Sequence, residues 1–251
     1  MRLNNVQRSV LALIALTLGC ASQAAVAADK RVMVFGDSNC WGWSPVPTVV
    51  PVTRYPSDVR WTGVMAGTLG PGYQVVEECL SARTAATNDN SLGLAGAGLN
   101  GLEYLPAALA SHTPLDLVVI VLGTNDVKPG FGKSALEISL DVLRLAAEVQ
   151  KNAGIATSYK PAKVLVVSPP PLGKIAGVDW VQKMFPEDSI RKSKELGGVL
   201  GGMARAAGLP FFNAAASVPQ MNGSDGIHMT AESHQTLGRS IAAEVKKILE
   251  K

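Results

Sequence analysis

The chain has 251 residues, 47% of them hydrophobic and 17% charged, with a formal net charge of +3. Such a composition suits one large globular domain with a substantial core and excludes a disordered or fibrous architecture. The small net charge and the lack of a long basic run remove any electrostatic case for nucleic acid or anionic lipid as a partner.

Arg2 and Arg8 precede a short apolar run, "VLALIALTLG", and small residues follow in "AVAAD". The pattern reads as a secretory signal peptide over residues 1–27, cut after Ala27, and the run is too short to span a bilayer. Export to the periplasm or the medium is the expectation, with no transmembrane span. Cys20, closing "TLGC", offers a lipoprotein anchor as the alternative, although Thr17 stands where an aliphatic residue is expected. Loss of the two leader arginines leaves residues 28–251 with a net charge of +1.

Along that domain, short apolar runs alternate with helical patterns. Strands are expected at 31–35, 73–78, 115–122, 163–168 and, more weakly, 210–212. Three of these runs are almost continuously apolar, as when helices cover both faces of a parallel sheet. Between them, Trp61, Val64, Met65 and Leu69 repeat at helical spacing, and so do Leu99, Leu102, Leu105 and Leu109. Ser134 and Glu137 form a capping-box start, followed by Leu136, Leu140 and Leu143 on one face. A helix over Ile190–Ala207 can end at Gly208, and the last helix starts near Thr230 with Leu237, Ile241, Val245 and Ile248 inward. The expected fold is a single doubly wound, three-layer α/β domain with a five-stranded, mainly parallel sheet. Two long loops, 44–58 and 81–98, are of the kind that shapes a binding site.

Ligands of such sheets bind beyond the carboxyl ends of the strands. Three of those ends carry polar motifs: Gly36-Asp37-Ser38-Asn39, Gly123-Thr124-Asn125-Asp126 and Asp225-Gly226-Ile227-His228. Each motif alone is a common turn or cap. Together they supply what a serine nucleophile needs: Ser38, His228 as the base, Asp225 to hold its tautomer, and the Asn125 amide as an oxyanion donor.

With these motifs, and with "WGW" (41–43), "DVRWTGVMAGTLG" (58–70), "EECLSART" (78–84), "PLDLVVIVLGTND" (114–126) and "VLVVSPPPL" (164–172), the chain resembles the SGNH-hydrolase (GDSL-type) family. The arylesterase/acyltransferase branch, some of whose members perform perhydrolysis, is the most similar. The resemblance spans about Arg31 to Leu249 and implies a flavodoxin-like sheet order. It implies Ser38 as nucleophile with Asp225 and His228, and an oxyanion hole made of the Ser38 and Ala82 N–H groups and Asn125. It also implies an ester substrate, water or an alcohol as acyl acceptor, and homo-oligomers, for which loop 44–58 could provide contacts. Three positions depart from the family pattern. Asn39 replaces a frequent leucine and is expected to alter the wall of the pocket. Ala82 replaces a frequent glycine, so its methyl restricts the acyl group, and Cys79 also replaces a common glycine.

Other chemistries fit less well. Gly-x-Ser-x-Gly is absent around Ser38, and Cys40 lies two residues past the turn that should face the base. No Gly-x-Gly-x-x-Gly follows the first strand, and the three histidines show no metal spacing, so neither cofactor nor metal is expected. Cys40 and Cys79 each follow one of two neighbouring strands; export permits a disulfide between them, and two free thiols are the alternative. His112 should cap a helix end, His234 should lie at the surface, and Asp37 and Asp126 should tie down their turns. Trp41 and Trp43, just past Ser38, should line an apolar approach for aryl or short acyl groups. The reading is a serine esterase of aryl or short-acyl esters, with acyl transfer or perhydrolysis as a further activity. Its rivals are a carbohydrate O-deacetylase with the same three residues, and a non-catalytic binding module.

Overall fold

The computed structural model describes residues 29–89, 98–151, 158–175 and 179–250. The expected signal peptide, with Cys20 and the cleavage site after Ala27, lies outside the described residues, as does part of loop 81–98.

Five parallel strands form the sheet: β1 (Lys30–Gly36), β2 (Tyr73–Cys79), β3 (Leu117–Val121), β4 (Lys163–Ser168) and β5 (Phe211–Asn213). Their spatial order is β2-β1-β3-β4-β5, a doubly wound order that reverses at β1. A two-stranded ribbon, Trp43–Ser44 with Thr53–Arg54, stands apart from the sheet within the first long loop.

Strand periodicity divides the core into two layers. On β1, Val32 and Val34 face one side while Met33 and Phe35 face the other, all fully buried. The Val32 side packs against α2 (Trp61–Leu69) and α7 (Ala231–Leu249), where Trp61, Met65, Leu237 and Ile241 are buried. The Met33 side packs against α3 (Gly101–His112), α4 (Ala135–Lys151) and α6 (Glu187–Ala206). Burying each such aliphatic side chain contributes about 2 kcal/mol, so both layers are needed to hold the sheet. Two further helices, the single turn α1 (Ser38–Trp41) and the short α5 (Asp179–Met184), border the site and each send one buried residue, Cys40 and Val181, into the core.

Local signals act as the sequence indicates. Ser134 and Glu137 exchange hydrogen bonds at the start of α4, and Gly208, with φ +69°, follows the end of α6. One face is corrected: Leu136 and Leu140 of α4 point outward, 52% and 47% exposed. The buried stripe is Ile138, Val142, Leu145 and Val149, and a two-residue offset rotates a helical position by about 200°.

Candidate active site

The site forms where β1, β2 and β3 end. Strand β1 stops at Gly36, whose added Cβ would meet the Cys40 Cβ at 2.6 Å and the Val121 carbonyl at 3.2 Å. Only glycine lets the chain turn there into α1. Asp37 caps that turn, its Oδ1 accepting the Asn39 N–H at 3.0 Å, and Gly42 closes it in the left-handed region. Ser38 is therefore the first residue of a helical turn, where the N–H has no intrahelical acceptor.

The Ser38 Oγ lies 2.9 Å from His228 Nε2, and His228 Nδ1 lies 2.7 Å from Asp225 Oδ2. All three residues are buried. The other Asp225 oxygen accepts the N–H groups of Ile227 and His228, both at 2.9 Å. Burial pushes the Asp225 carboxyl upward, but its bonds from the His228 ring and these N–H groups outweigh that and hold it below its ordinary value. An ionised Asp225 only accepts, so Nδ1 carries the proton and Nε2 is free to take one from Ser38. A hydroxyl, an imidazole and a carboxylate linked in this way can generate a serine nucleophile.

The second and third motifs interlock beside Ser38. Asn125 Nδ2 donates to the Arg83 carbonyl at 3.1 Å, and Asp126 Oδ1 accepts the Ala85 N–H at 2.9 Å. The bond to Arg83 uses one of the two N–H donors of the Asn125 amide. Ala82 sits at φ +66°, in the left-handed region, which accounts for the glycine frequent there. Asp37 holds its own turn, as expected, whereas Asp126 ties down the distant Ala85 segment instead; burial raises the pKa of both, Asp126 to about 7.

An apolar cavity of about 220 Å³ opens on Ser38 and His228, walled by Trp43, Ala82, Val181 and Phe185 among others. Its volume suits a small group rather than a drug-sized ligand. Trp43 lines this cavity, and its ring also stacks on His228. Trp41 does not line this cavity: it lies edge-on to Trp43 and beneath the Arg54 guanidinium, which donates to its carbonyl. Across Trp180 and Met184 of α5, a wider groove of about 490 Å³ carries Asn88, Asp89, Lys128 and Lys183. At its base Lys128 and Asp89 form a buried ion pair of 2.7 Å.

Several residues differ from their sequence reading. Asn39 is 4% exposed and does not line the cavity; its amide instead bonds to the backbone on either side of His228. His234 is not a surface residue but fully buried, its Nδ1 accepting the Trp61 N–H at 3.2 Å. Cys40 and Cys79 are joined in a disulfide, with Cα atoms 5.3 Å apart, which also removes Cys40 as a nucleophile. His112 ends α3 as expected and binds Glu78 at 2.7 Å. Sequence reasoning missed Arg83, which is 2% exposed, donates to the carbonyls of Gly36 and Glu78 and stacks on Phe35. It also missed α5, a short helix of mixed polarity whose Val181 reaches inward. A lone arginine and a six-residue helix leave no periodic signal.

The model of the GDSL-like lipase/acylhydrolase family matches residues 34–236. The chain belongs to this family. Among solved structures it is similar to the aryl esterase of M. smegmatis, known in native and inhibitor-bound forms, at 43% identity with a TM-score of 0.83; 88% of this chain and all of that one are covered. A carbohydrate acetylesterase from Sinorhizobium meliloti is 45% identical over the same shares, also with a TM-score of 0.83. A second carbohydrate acetylesterase family member from that organism is 30% identical, with a TM-score of 0.79 over 88% of this chain and all of its own. No curated protein matches the chain. This GDSL-family protein is an esterase with the five-stranded fold of its solved relatives.

Proposed function

We propose that this esterase is exported and cleaves aryl or short-acyl esters through an acyl-enzyme on Ser38. Ser38 attacks the ester carbonyl as His228 Nε2 takes its proton, and Asp225 holds the imidazolium that forms. The N–H groups of Ser38 and Ala82 and the Asn125 amide stabilise the tetrahedral oxyanion. The leaving alcohol receives the proton from His228, and water or a second alcohol then releases the acyl group. Transfer to an alcohol, and perhydrolysis where peroxide is the acceptor, follow from an apolar cavity that limits water around the acyl-enzyme.

The observation that carries this reading is the 2.9 Å contact of Ser38 Oγ with His228 Nε2 at the mouth of the 220 Å³ apolar cavity. Ser38→Ala should lower kcat on nitrophenyl acetate by on the order of 10⁴–10⁶, leaving the contribution of the oxyanion hole and binding. Undiminished hydrolysis by Ser38→Ala would exclude Ser38 as the nucleophile, and a fluorophosphonate probe that leaves Ser38 unlabelled would favour a binding module. An acyl-chain series with and without added alcohol, reporting both products, measures acyl size and transfer together.

A second reading, O-deacetylation of a carbohydrate, is favoured by the wider groove, which carries Asn88, Asp89, Lys128 and Lys183, and by the likeness to carbohydrate acetylesterases. Rates on nitrophenyl acetate and on acetylated xylan separate the two. Export is supported by the leader pattern, and among the described residues no helix is long and apolar enough to cross a membrane. An N-terminus starting at Ala28 in the exported protein tests it. Val50 and Val52 in loop 44–58 are 52% and 38% exposed, which supports contacts between copies, to be read by size-exclusion light scattering.

A further inference from the structure

The nucleophile and the base come from opposite ends of the chain, 190 residues apart, and their separation has to be held to within a few tenths of an ångström for proton transfer. Asp225 holds the His228 ring, and Gly223 N–H donates to the His228 carbonyl at 2.9 Å, but both belong to the same loop as His228. Neither fixes that loop relative to Ser38.

Asn39 does. Its Nδ2 donates to the Ile227 carbonyl at 3.2 Å, and its Oδ1 accepts the Met229 N–H at 3.1 Å. The two bonds grip the backbone immediately before and immediately after His228. Among the described residues, the hydrogen bonds between the α1 turn and the 225–229 loop are these two and the Ser38–His228 contact itself. Asn39 is 4% exposed, and Ile227 and Met229 are 6% and 0% exposed, so water does not compete for the bonds. Asn39 follows Ser38 directly, so its side chain measures the loop against the nucleophile's own backbone.

We propose that Asn39 is a positioning residue that sets the His228 imidazole against the Ser38 hydroxyl, an inference that rests on His228 being the base. Asn39 touches neither substrate cavity nor reacting atoms and acts only through His228. An amide is the side chain that supplies one donor and one acceptor here. A leucine of similar size fills the space yet leaves the Ile227 carbonyl and the Met229 N–H unpaired, which lets the loop shift.

The test is kinetic. Asn39→Leu should lower kcat on nitrophenyl acetate by roughly 10–100-fold, the scale of a misplacement of about an ångström, with KM within about twofold. In a His228→Ala background the same substitution should change the residual rate by less than about twofold, because no imidazole is left to place. A purely structural role would instead lower the rate in both backgrounds. Ile241→Val, a methylene deletion in the buried face of α7, serves as a control of modest destabilisation and should leave kcat unchanged. If Asn39→Leu does not fold, Asn39→Asp, which has the same shape and keeps the acceptor but not the donor, should still lose about tenfold in kcat.

Unchanged kcat in the Asn39 variants overturns the proposal, and so does a rise in KM alone, which would make Asn39 part of the pocket wall. An equal loss in the His228→Ala background, or in Ile241→Val, also overturns it. A parent protein whose hydrolysis survives His228→Ala would refute the underlying assignment of the base, a result distinct from any of these.

Discussion

Trp43 lies flat against His228, the ring centroids 4.8 Å apart and the planes 6° from parallel. The indole limits rotation of the imidazole, and under the proposed mechanism its π face favours the cation that forms during attack. It also walls the cavity beside Ser38, so under the proposed mechanism one residue serves both the base and the substrate. Trp43→Ala should therefore lower kcat about tenfold and raise KM for short acyl esters, while Trp43→Phe keeps most of kcat. Steady-state kinetics on nitrophenyl acetate decide it; a change in KM alone would reduce Trp43 to a wall.

The Cys40–Cys79 bridge joins α1 to the end of β2, three residues before Ala82, across a sequence separation of 39. Loop-closure entropy gives such a link about 4 kcal/mol, most of it through the unfolded chain. The Cys40→Ser, Cys79→Ser protein should melt about 10 °C lower than the parent. Reductant should shift the parent by a similar amount and leave the variant unmoved. Identical melting of the parent with and without reductant, or two reactive thiols in the unreduced, unfolded 28–251 domain, would contradict the bridge.

Ala82 combines an oxyanion-hole role, under the proposed mechanism, with φ +66° and a methyl in the cavity wall. Glycine removes about 1 kcal/mol of backbone strain, offset by the freedom it adds to the unfolded chain. Ala82→Gly should leave stability within about 1 kcal/mol of the parent. Its butyrate-to-acetate ratio of kcat/KM should rise several-fold as the methyl leaves. An unchanged acyl preference would show that the methyl does not limit chain length.

Legibility in the sequence follows the kind of signal each feature leaves. The buried strands are short apolar runs between helical patterns, so Val32–Phe35 and Leu117–Val121 declare themselves, and motifs at their ends place Ser38, Asn125 and His228 on one rim. Asn39 and His234 leave no such mark. The value of Asn39 lies in backbone atoms 188–190 residues away, and His234 is buried by Trp61 and Tyr55 from a distant segment. The α4 leucines mislead for a related reason: two apolar rows are available, and contact with α3 and α6, not composition, selects the Ile138 row.

His234 and Asp126 bias stability in opposite directions over one pH range. Burial, then the nearby His228, holds the His234 pKa at about 3 against an ordinary 6.5. The unfolded chain thus binds a proton that the folded one refuses, and stability is lost as pH falls from 6.5 toward 3. Burial raises Asp126 from 3.8 to about 7, opposed by the Ala85 N–H and Lys133 and aided by Asp141 and Asp37. The folded state then holds the extra proton, and stability is lost as pH rises from 3.8 to about 7. Between 3.8 and 6.5 the two slopes offset each other. His234→Asn, whose amide oxygen can still take the Trp61 N–H, should make stability fall more steeply with rising pH than in the parent. Asp126→Asn, whose amide oxygen can still take the Ala85 N–H, should make it rise. Urea midpoints at about pH 4.5 and 6.5 read the slopes, and variants parallel to the parent would mean that neither group titrates as its burial requires.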